Sequence, residues 1–212
     1  MKTYKTDLLD LRCMDCMDLL KQTPDNHFSL AIVDPPYGLG DRLTRQGATS
    51  HLKTRQLSVL NSSWDNAIPT PEYFTELRRV SQNQIIWGGN YFPLPPTRCV
   101  IAWDKVQPWE NFSQWEMAWT SFDSPARIFK FDNRTGGKIH ATQKPIELYA
   151  FLLHNYAKPG DRILDTHLGS ASIAIACHYK GFHLTGCEMD EDYFNAAIER
   201  VKRETAQQEL DL

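Results

Sequence analysis

The chain is poor in long apolar runs. No stretch of its 212 residues approaches the ~20 consecutive apolar residues that a membrane-spanning helix needs. It also lacks an apolar segment behind Met1-Lys2-Thr3-Tyr4-Lys5, so no secretory signal is expected and a cytoplasmic location is. Cysteines are few and odd in number: Cys13, Cys16, Cys99, Cys177 and Cys187. Cys13-x-x-Cys16 has no second pair to complete four zinc ligands, and the histidines lack metal-type spacing, so no metal site is expected. Excess charge of either sign is missing too. Lys and Arg total 23 and Asp and Glu 26, a net charge of −3, which excludes a uniformly basic coat. With 42% hydrophobic and 11% aromatic residues, whole-chain disorder is excluded as well. There is no repeat.

The residues that are present alternate between two periodicities. Leu8 to Cys13 reads as a short strand, followed by a helical turn or two over Met14 to Lys21. Phe28-Ser-Leu-Ala-Ile-Val33 is a near-continuous apolar run, as expected of a buried strand in a parallel sheet. It stops at Asp34-Pro35-Pro36-Tyr37, where proline cannot donate to a ladder. Residues 38 to 63 lack periodicity and predict a long mobile loop. Thr70 and Pro71 open a helix to Val80. Strands follow at Gln84 to Trp87 and Cys99 to Trp103, then an expected strand pair at Glu116 to Phe122 and Ala126 to Phe131. Behind Lys144-Pro145 the order is helix, strand (Asp161 to Asp165), helix (Ser170 to Tyr179), strand (His183 to Glu188), helix from Asp190. This order predicts one doubly wound α/β domain over residues 1–212.

Ligands of such sheets bind beyond the carboxyl ends of the strands. Three expected strands end in an acid: Asp34, Asp165 and Glu188. After Asp165 comes Thr166-His167-Leu168-Gly169-Ser170, in which Gly169 lets the backbone approach a ligand and Ser170 can cap the next helix. Glu188 lies 23 residues beyond Asp165, the distance at which dinucleotide folds place a ribose-binding acid. The full G-x-G-x-x-G is absent, which disfavours a pyrophosphate. A nucleoside without phosphates, such as S-adenosylmethionine, fits better. Asp34-Pro35-Pro36-Tyr37 suits a planar base that carries an amino group. The acid and a proline-fixed carbonyl accept its two N–H bonds, and the tyrosine offers a stacking face worth ~1–3 kcal/mol.

Together these segments resemble the amino-directed DNA methyltransferases. Asp34-Pro35-Pro36-Tyr37 resembles their catalytic motif, and His140-Ala-Thr-Gln-Lys-Pro145-Ile-Glu-Leu the segment before their cofactor strand. Asp165 to Ser172 resembles their S-adenosylmethionine loop, and Gly186-Cys-Glu188-Met-Asp190 their ribose-binding strand end. The catalytic motif comes first and the cofactor motifs last, as in the permuted β group. The chain departs at Thr166-His167, where the family has Pro-Phe, and at Ala171, where it has a second glycine.

The resemblance implies a Rossmann-like, S-adenosylmethionine-dependent methyltransferase fold, its doubly wound sheet mostly parallel with an antiparallel edge strand. It implies transfer of the cofactor's methyl group to the N6 amino group of adenine flipped out of DNA. Cytosine N4 is the alternative, followed by an RNA or protein substrate or an inactive DNA-binding homologue. Asp34, Pro35, Pro36 and Tyr37 are the expected catalytic residues. Asp165, His167, Gly169, Ser170 and Glu188 are expected at the cofactor, with Lys144 near its carboxylate and Asp15 near its adenine. Arg42, Arg45, Lys53 and Arg55, and Arg134 and Lys138, are the expected DNA contacts. They lie in segments 38–58 and 124–144, whose net charges are +3 and +4. Only about residues 105–140 are left for target recognition, which suggests a short site, loose specificity or a homodimer.

Overall fold

The computed structural model describes residues 2–39, 65, 67–108, 113–132 and 143–206. Within them the strands are β1 (Thr3–Lys5), β2 (Leu9–Cys13), β3 (Phe28–Val33), β4 (Ser81–Trp87), β5 (Val100–Asp104), β6 (Trp115–Thr120), β7 (Arg127–Lys130), β8 (Arg162–Asp165) and β9 (His183–Glu188). The helices are α1 (Cys16–Gln22), α2 (Pro71–Val80), α3 (Ile146–Tyr156), α4 (Ser172–Lys180) and α5 (Glu191–Ala206). The predicted mobile loop lies, from residue 40 on, outside the described residues.

The strands form one sheet in the order β1-β2-β9-β8-β3-β4-β6-β5-β7. Five of them, β2, β9, β8, β3 and β4, run parallel side by side. Central β3 is buried on both faces, which is why its sequence is apolar throughout rather than alternating. Leu30 and Ile32 pack toward α3, α4 and α5, whereas Ala31 and Val33 pack toward α1 and α2. The result is a three-layer sandwich with a core on each side of the sheet. Helix α4 is buried from Ser172 to Cys177. An α-helix apolar on all sides needs such a position between sheet and neighbouring helices.

Two expectations are corrected. Residues 116–122 and 126–131 do not pair with each other: β5 lies between them, antiparallel to β6 and parallel to β7. The reversed strands are β1, at the sheet edge against β2, and β6, inserted between β4 and β5. Neither insertion nor order leaves a trace in local periodicity. Ser170 does not cap α4. The cap position is Ala171 in a left-handed conformation (φ 55°), and the Ser170 hydroxyl shares a 3.2 Å hydrogen bond with that of Ser172.

The chain winds one way from β3 to β4 and the other way from β8 to β9 and β2. The order therefore reverses between β8 and β3, and the crevice expected beyond the carboxyl ends of such a sheet falls there. Asp34, immediately after β3, and Asp165, the last residue of β8, stand on its two sides. Gly186 pairs with Asp165, and Glu188 with Cys13, so β9 and β2 bring their own ends to the same edge.

Candidate active site

The β3 end is held from a distance. Asp65, 2% exposed, accepts the backbone N–H of Tyr37 at 2.6 Å, of Gly38 at 2.9 Å and of Leu39 at 3.1 Å. A carboxylate on three amides fixes the chain that leaves the two prolines. Tyr37 turns back so that its hydroxyl donates to Asp34 Oδ1 at 2.6 Å. Its ring passes over Gly88, whose φ is +68°; a Cβ there would lie 2.2 Å from Tyr37 Cε1. Only glycine serves at that position. The ring also stacks on Tyr91 at 5.0 Å between centroids and 13° between planes. The expected stacking face is thus part of an aromatic pair whose outer member, Tyr91, is 43% exposed.

Asp34 Oδ2 accepts a hydrogen bond from Lys144 Nζ. Lys144 was expected near the cofactor carboxylate; the structure places its ammonium, almost wholly buried, between Asp34 and Glu116, whose Oε2 is 3.3 Å away. The other Glu116 oxygen, Oε1, is 2.6 Å from Lys105 Nζ. The ammonium also lies 5.2 Å from the Trp87 ring centroid and 6.0 Å from that of Tyr37. Burial opposes its charge, but Asp34 and Glu116 outweigh burial and raise the Lys144 pKa. Burial likewise opposes ionisation of Glu116, and the two lysines outweigh it and lower its pKa.

On the other side of the crevice, Asp165 Oδ1 accepts the His167 N–H at 3.0 Å. Burial pushes the Asp165 pKa up to about 8, the His167 amide opposes this, and the charges of Asp34 and Glu188 push it further up. His167 is brought down to about 4 by burial, so its ring is neutral at neutral pH. Its Nδ1 shares a 2.9 Å hydrogen bond with the Thr166 hydroxyl, and its ring meets Tyr73 edge-on at 5.6 Å. Glu188 accepts the N–H of Gly169 and of Asp190, each at 3.0 Å; its pKa is raised by burial against those amides. Asp15 is exposed and caps α1 by accepting the Met17 N–H at 2.7 Å. Arg200 of α5, buried, donates to the Ser170 carbonyl at 2.7 Å and to the Ser172 hydroxyl at 2.9 Å. That hydroxyl donates in turn to the Lys144 carbonyl at 2.7 Å, tying the two halves of the crevice together.

The donor set fits the expected cofactor. S-adenosylmethionine presents a ribose diol, an α-ammonium and a sulfonium, all of which favour carboxylates. The strand ends offer Asp15, Asp165 and Glu188, and among the described residues Asp165 has no cationic hydrogen-bond partner. The loop has left-handed backbone at Gly169 (φ 48°) and Ala171 (φ 55°), and a Cβ on Gly169 would meet only open space apart from a carbonyl at 4.0 Å. Among the described residues no cluster suits a metal ion.

The structure therefore brings together Asp34, Tyr37, Lys144, Asp165, His167, Gly169, Ser170 and Glu188 along one edge. The expected DNA contacts Arg42, Arg45, Lys53, Arg55, Arg134 and Lys138 lie outside the described residues. Of the region 105–140, the described parts include β6 and β7: Trp119 is buried in the core and Trp115 is 53% exposed. Sequence reasoning missed Asp65, Tyr91, Lys105, Glu116 and Arg200. Glu116 alone carries a local signal, an acid inside Trp115-Glu-Met-Ala-Trp119.

Comparison with known proteins agrees with this geometry. A family model described as DNA methylase, of the N6/N4 group, matches residues 103–199. Type II methyltransferase M1.MboII of Moraxella bovis is 22% identical over 250 residues, covering 87% of this chain and 93% of that protein. Among solved structures, PvuII DNA methyltransferase (cytosine-N4-specific) superposes with a TM-score of 0.64 at 14% identity, covering 96% of this chain and 92% of that one. The M1.HpyAVI–SAM complex gives 0.60 at 19% identity, covering 91% and 100%.

Proposed function

We propose that the chain is an amino-directed (N6/N4) DNA methyltransferase and that it methylates the N6 amino group of adenine in DNA, with Asp34 as the acceptor that orients that group. The methyl donor is S-adenosylmethionine. When bound, it supplies a methyl group on a sulfonium, whose transfer leaves positive charge on the accepting nitrogen. The observation that carries the reading is the place of Asp34-Pro35-Pro36-Tyr37: at the carboxyl end of β3, across the switch point from Asp165 and Glu188.

The amino nitrogen of adenine is a poor nucleophile because its lone pair is delocalised into the ring. Asp34 and the Pro35 carbonyl accept its two N–H bonds, favour a more tetrahedral nitrogen, and stabilise the positive charge that develops there. Pro35 and Pro36 hold these acceptors ready, and Asp65 holds the chain behind them, which lowers the entropic cost of alignment. Reaching the pocket takes the base out of the duplex, at a cost of a few kcal/mol. The Tyr37–Tyr91 pair offers aromatic surface that recovers part of it. Glu188 would hold the ribose, Asp165 would hold the ammonium of the amino-acid end, and His167 would give the cofactor a neutral flat face.

With Asp rather than Ser first, Asp34-Pro35-Pro36-Tyr37 resembles the adenine-N6 enzymes more than the cytosine-N4 enzymes. Cytosine N4 is the second reading: its amino group adjoins a ring nitrogen just as in adenine, and PvuII methyltransferase, named cytosine-N4-specific, shares the fold. The homology to a type II methyltransferase supports a place in restriction-modification. We assign residues 1–212 to one methyltransferase domain whose recognition function falls to about 105–140.

Asp34→Ala is expected to abolish methyl transfer to DNA while cofactor binding, read by calorimetry, stays within about twofold. Glu188→Ala is expected to do the reverse and weaken cofactor binding. Methyl transfer by Asp34→Ala at the normal rate overturns the assignment. Long-read methylation mapping of DNA from expressing cells then reads the base and the site.

A further inference from the structure

Both oxygens of Asp34 already accept a hydrogen bond before any base arrives. Oδ1 takes the Tyr37 hydroxyl and Oδ2 takes Lys144 Nζ. The target amino group needs one of these oxygens. It also gains positive charge as it is methylated, and an ammonium resting on the same carboxylate repels that charge at short range. Lys144 must therefore draw back, and in a site this buried an ammonium moves only onto another acceptor.

One such acceptor is already there. Glu116 Oε2 is buried, lies 3.3 Å from Lys144 Nζ as an ion pair, and among the described residues accepts no hydrogen bond. Its sister oxygen is fixed by Lys105 at 2.6 Å, so the carboxylate does not need to move. A charge-assisted N–H···O bond is ~2.7–2.9 Å long, so a shift of about half an ångström completes the bond to Glu116. The Lys144 backbone is anchored through Ser172, so the shift falls on the side chain alone. The Trp87 and Tyr37 rings flank the ammonium.

We propose that Glu116 is a positioning residue for methyl transfer, the acceptor that takes Lys144 Nζ from Asp34 as the target amino group arrives. The proposal rests on Asp34 being the amino-group acceptor. It goes further in giving Lys144 two positions and in making Glu116 the residue that sets the balance between them.

The test uses the full chain, tritiated S-adenosylmethionine and genomic DNA from a methylation-deficient strain. Glu116→Gln keeps the shape and removes the charge, so Lys144 stays on Asp34. Its kcat is expected to fall about tenfold or more, with the cofactor Kd within about twofold of wild type. The double variant Glu116→Gln/Lys144→Met also removes the ammonium that would block Asp34, and is expected to regain about threefold or more in kcat over the single variant. A purely structural role predicts the opposite, further loss in the double variant. Glu116→Asp keeps the carboxylate and is expected to stay within about threefold of wild type, which tests the charge even where Glu116→Gln fails to fold. The proposal is overturned by a Glu116→Gln enzyme at wild-type kcat, by a double variant no faster than the single one, or by Glu116→Asp as slow as Glu116→Gln. Asp34→Ala, assayed beside them, separates the two levels. If it is inactive while Glu116→Gln is unimpaired, only the role of Glu116 falls; if it is active, the reading of Asp34 falls as well.

Discussion

Asp165 is a buried acid with no ion-pair partner among the described residues, and that sets a pH dependence. Its pKa of about 8 in the free protein means that it is largely protonated at neutral pH. A cofactor that brings an ammonium or hydroxyl donors favours the ionised form, so binding at neutral pH releases a proton. The sign follows: affinity rises with pH up to about 8, by at most about tenfold per pH unit, and is level above it. Calorimetry in buffers of different ionisation enthalpy checks both the slope and the proton released. A flat profile between pH 6 and 8 without proton release would overturn it, and Asp165→Asn is expected to bind weakly with no slope. Folding carries the same linkage. A group whose pKa is raised on folding stabilises the native state at low pH, and that contribution is lost as pH rises through the folded-state value. The cofactor's thermal stabilisation is therefore expected to be larger at pH 8.5 than at pH 6. Residues that act alone at a strand end, such as Asp34, Asp165 and Glu188, were legible in the sequence because the apolar run before each ends abruptly. Asp65 was not: it meets Tyr37 across 28 residues, and nothing near it in sequence announces a carboxylate aimed at three amides.

At the scale of elements, the cofactor loop depends on a helix that touches no ligand. Arg200 reaches from the middle of α5 to the Ser170 carbonyl and the Ser172 hydroxyl, just where the chain turns left-handed at Ala171. Burial lowers the Arg200 pKa, so these hydrogen bonds are made by a cation at some desolvation cost. Hydrogen bonds to charged groups contribute ~1.5–3 kcal/mol each, and their partners would be left unpaired and buried. Arg200→Met is expected to lower stability by about 2–4 kcal/mol and to weaken cofactor binding, with little change in kcat at saturating cofactor. Denaturant unfolding together with cofactor titration checks both; unchanged cofactor affinity in a folded variant would dismiss the bracing role. The elements legible in advance were those with strong local signals. Thr70-Pro71 opens α2 at Pro71, and the apolar stretches of β3, β8 and β9 fall where the pattern put them. Strand β1 was missed because three residues with one half-buried Tyr4 have no periodicity to show. The order β4-β6-β5-β7 was missed because it rests on cross-strand partners such as Ile86 and Trp119, far apart in the chain.

For the whole molecule, charge is the property that the sequence total hides. Segments 38–58 and 124–144 carry +3 and +4, whereas residues 187–212 carry −5, so a net charge of −3 is compatible with one basic and one acidic end. The structure trims this account. Lys144 is buried on Asp34 and Glu116, so the second segment offers DNA one free cation fewer than its sequence total implies. Arg134 and Lys138 are two of the cations that remain. Each phosphate neutralised steepens the fall of log affinity with log salt by ~0.9 for duplex DNA. Replacing both residues by Gln is expected to reduce the slope of DNA binding by about 2, leaving cofactor affinity and the pattern of methylated sites unchanged, because phosphate contacts position without reading bases. Fluorescence anisotropy on an unmethylated duplex over a salt series measures the slope. If the slope holds while the methylated sequence changes, those side chains read bases instead, and recognition extends beyond β6 and β7 into residues 133–142. If neither changes, the basic excess of this segment faces away from DNA and the first segment, with Arg42, Arg45, Lys53 and Arg55, must supply the electrostatic part of binding.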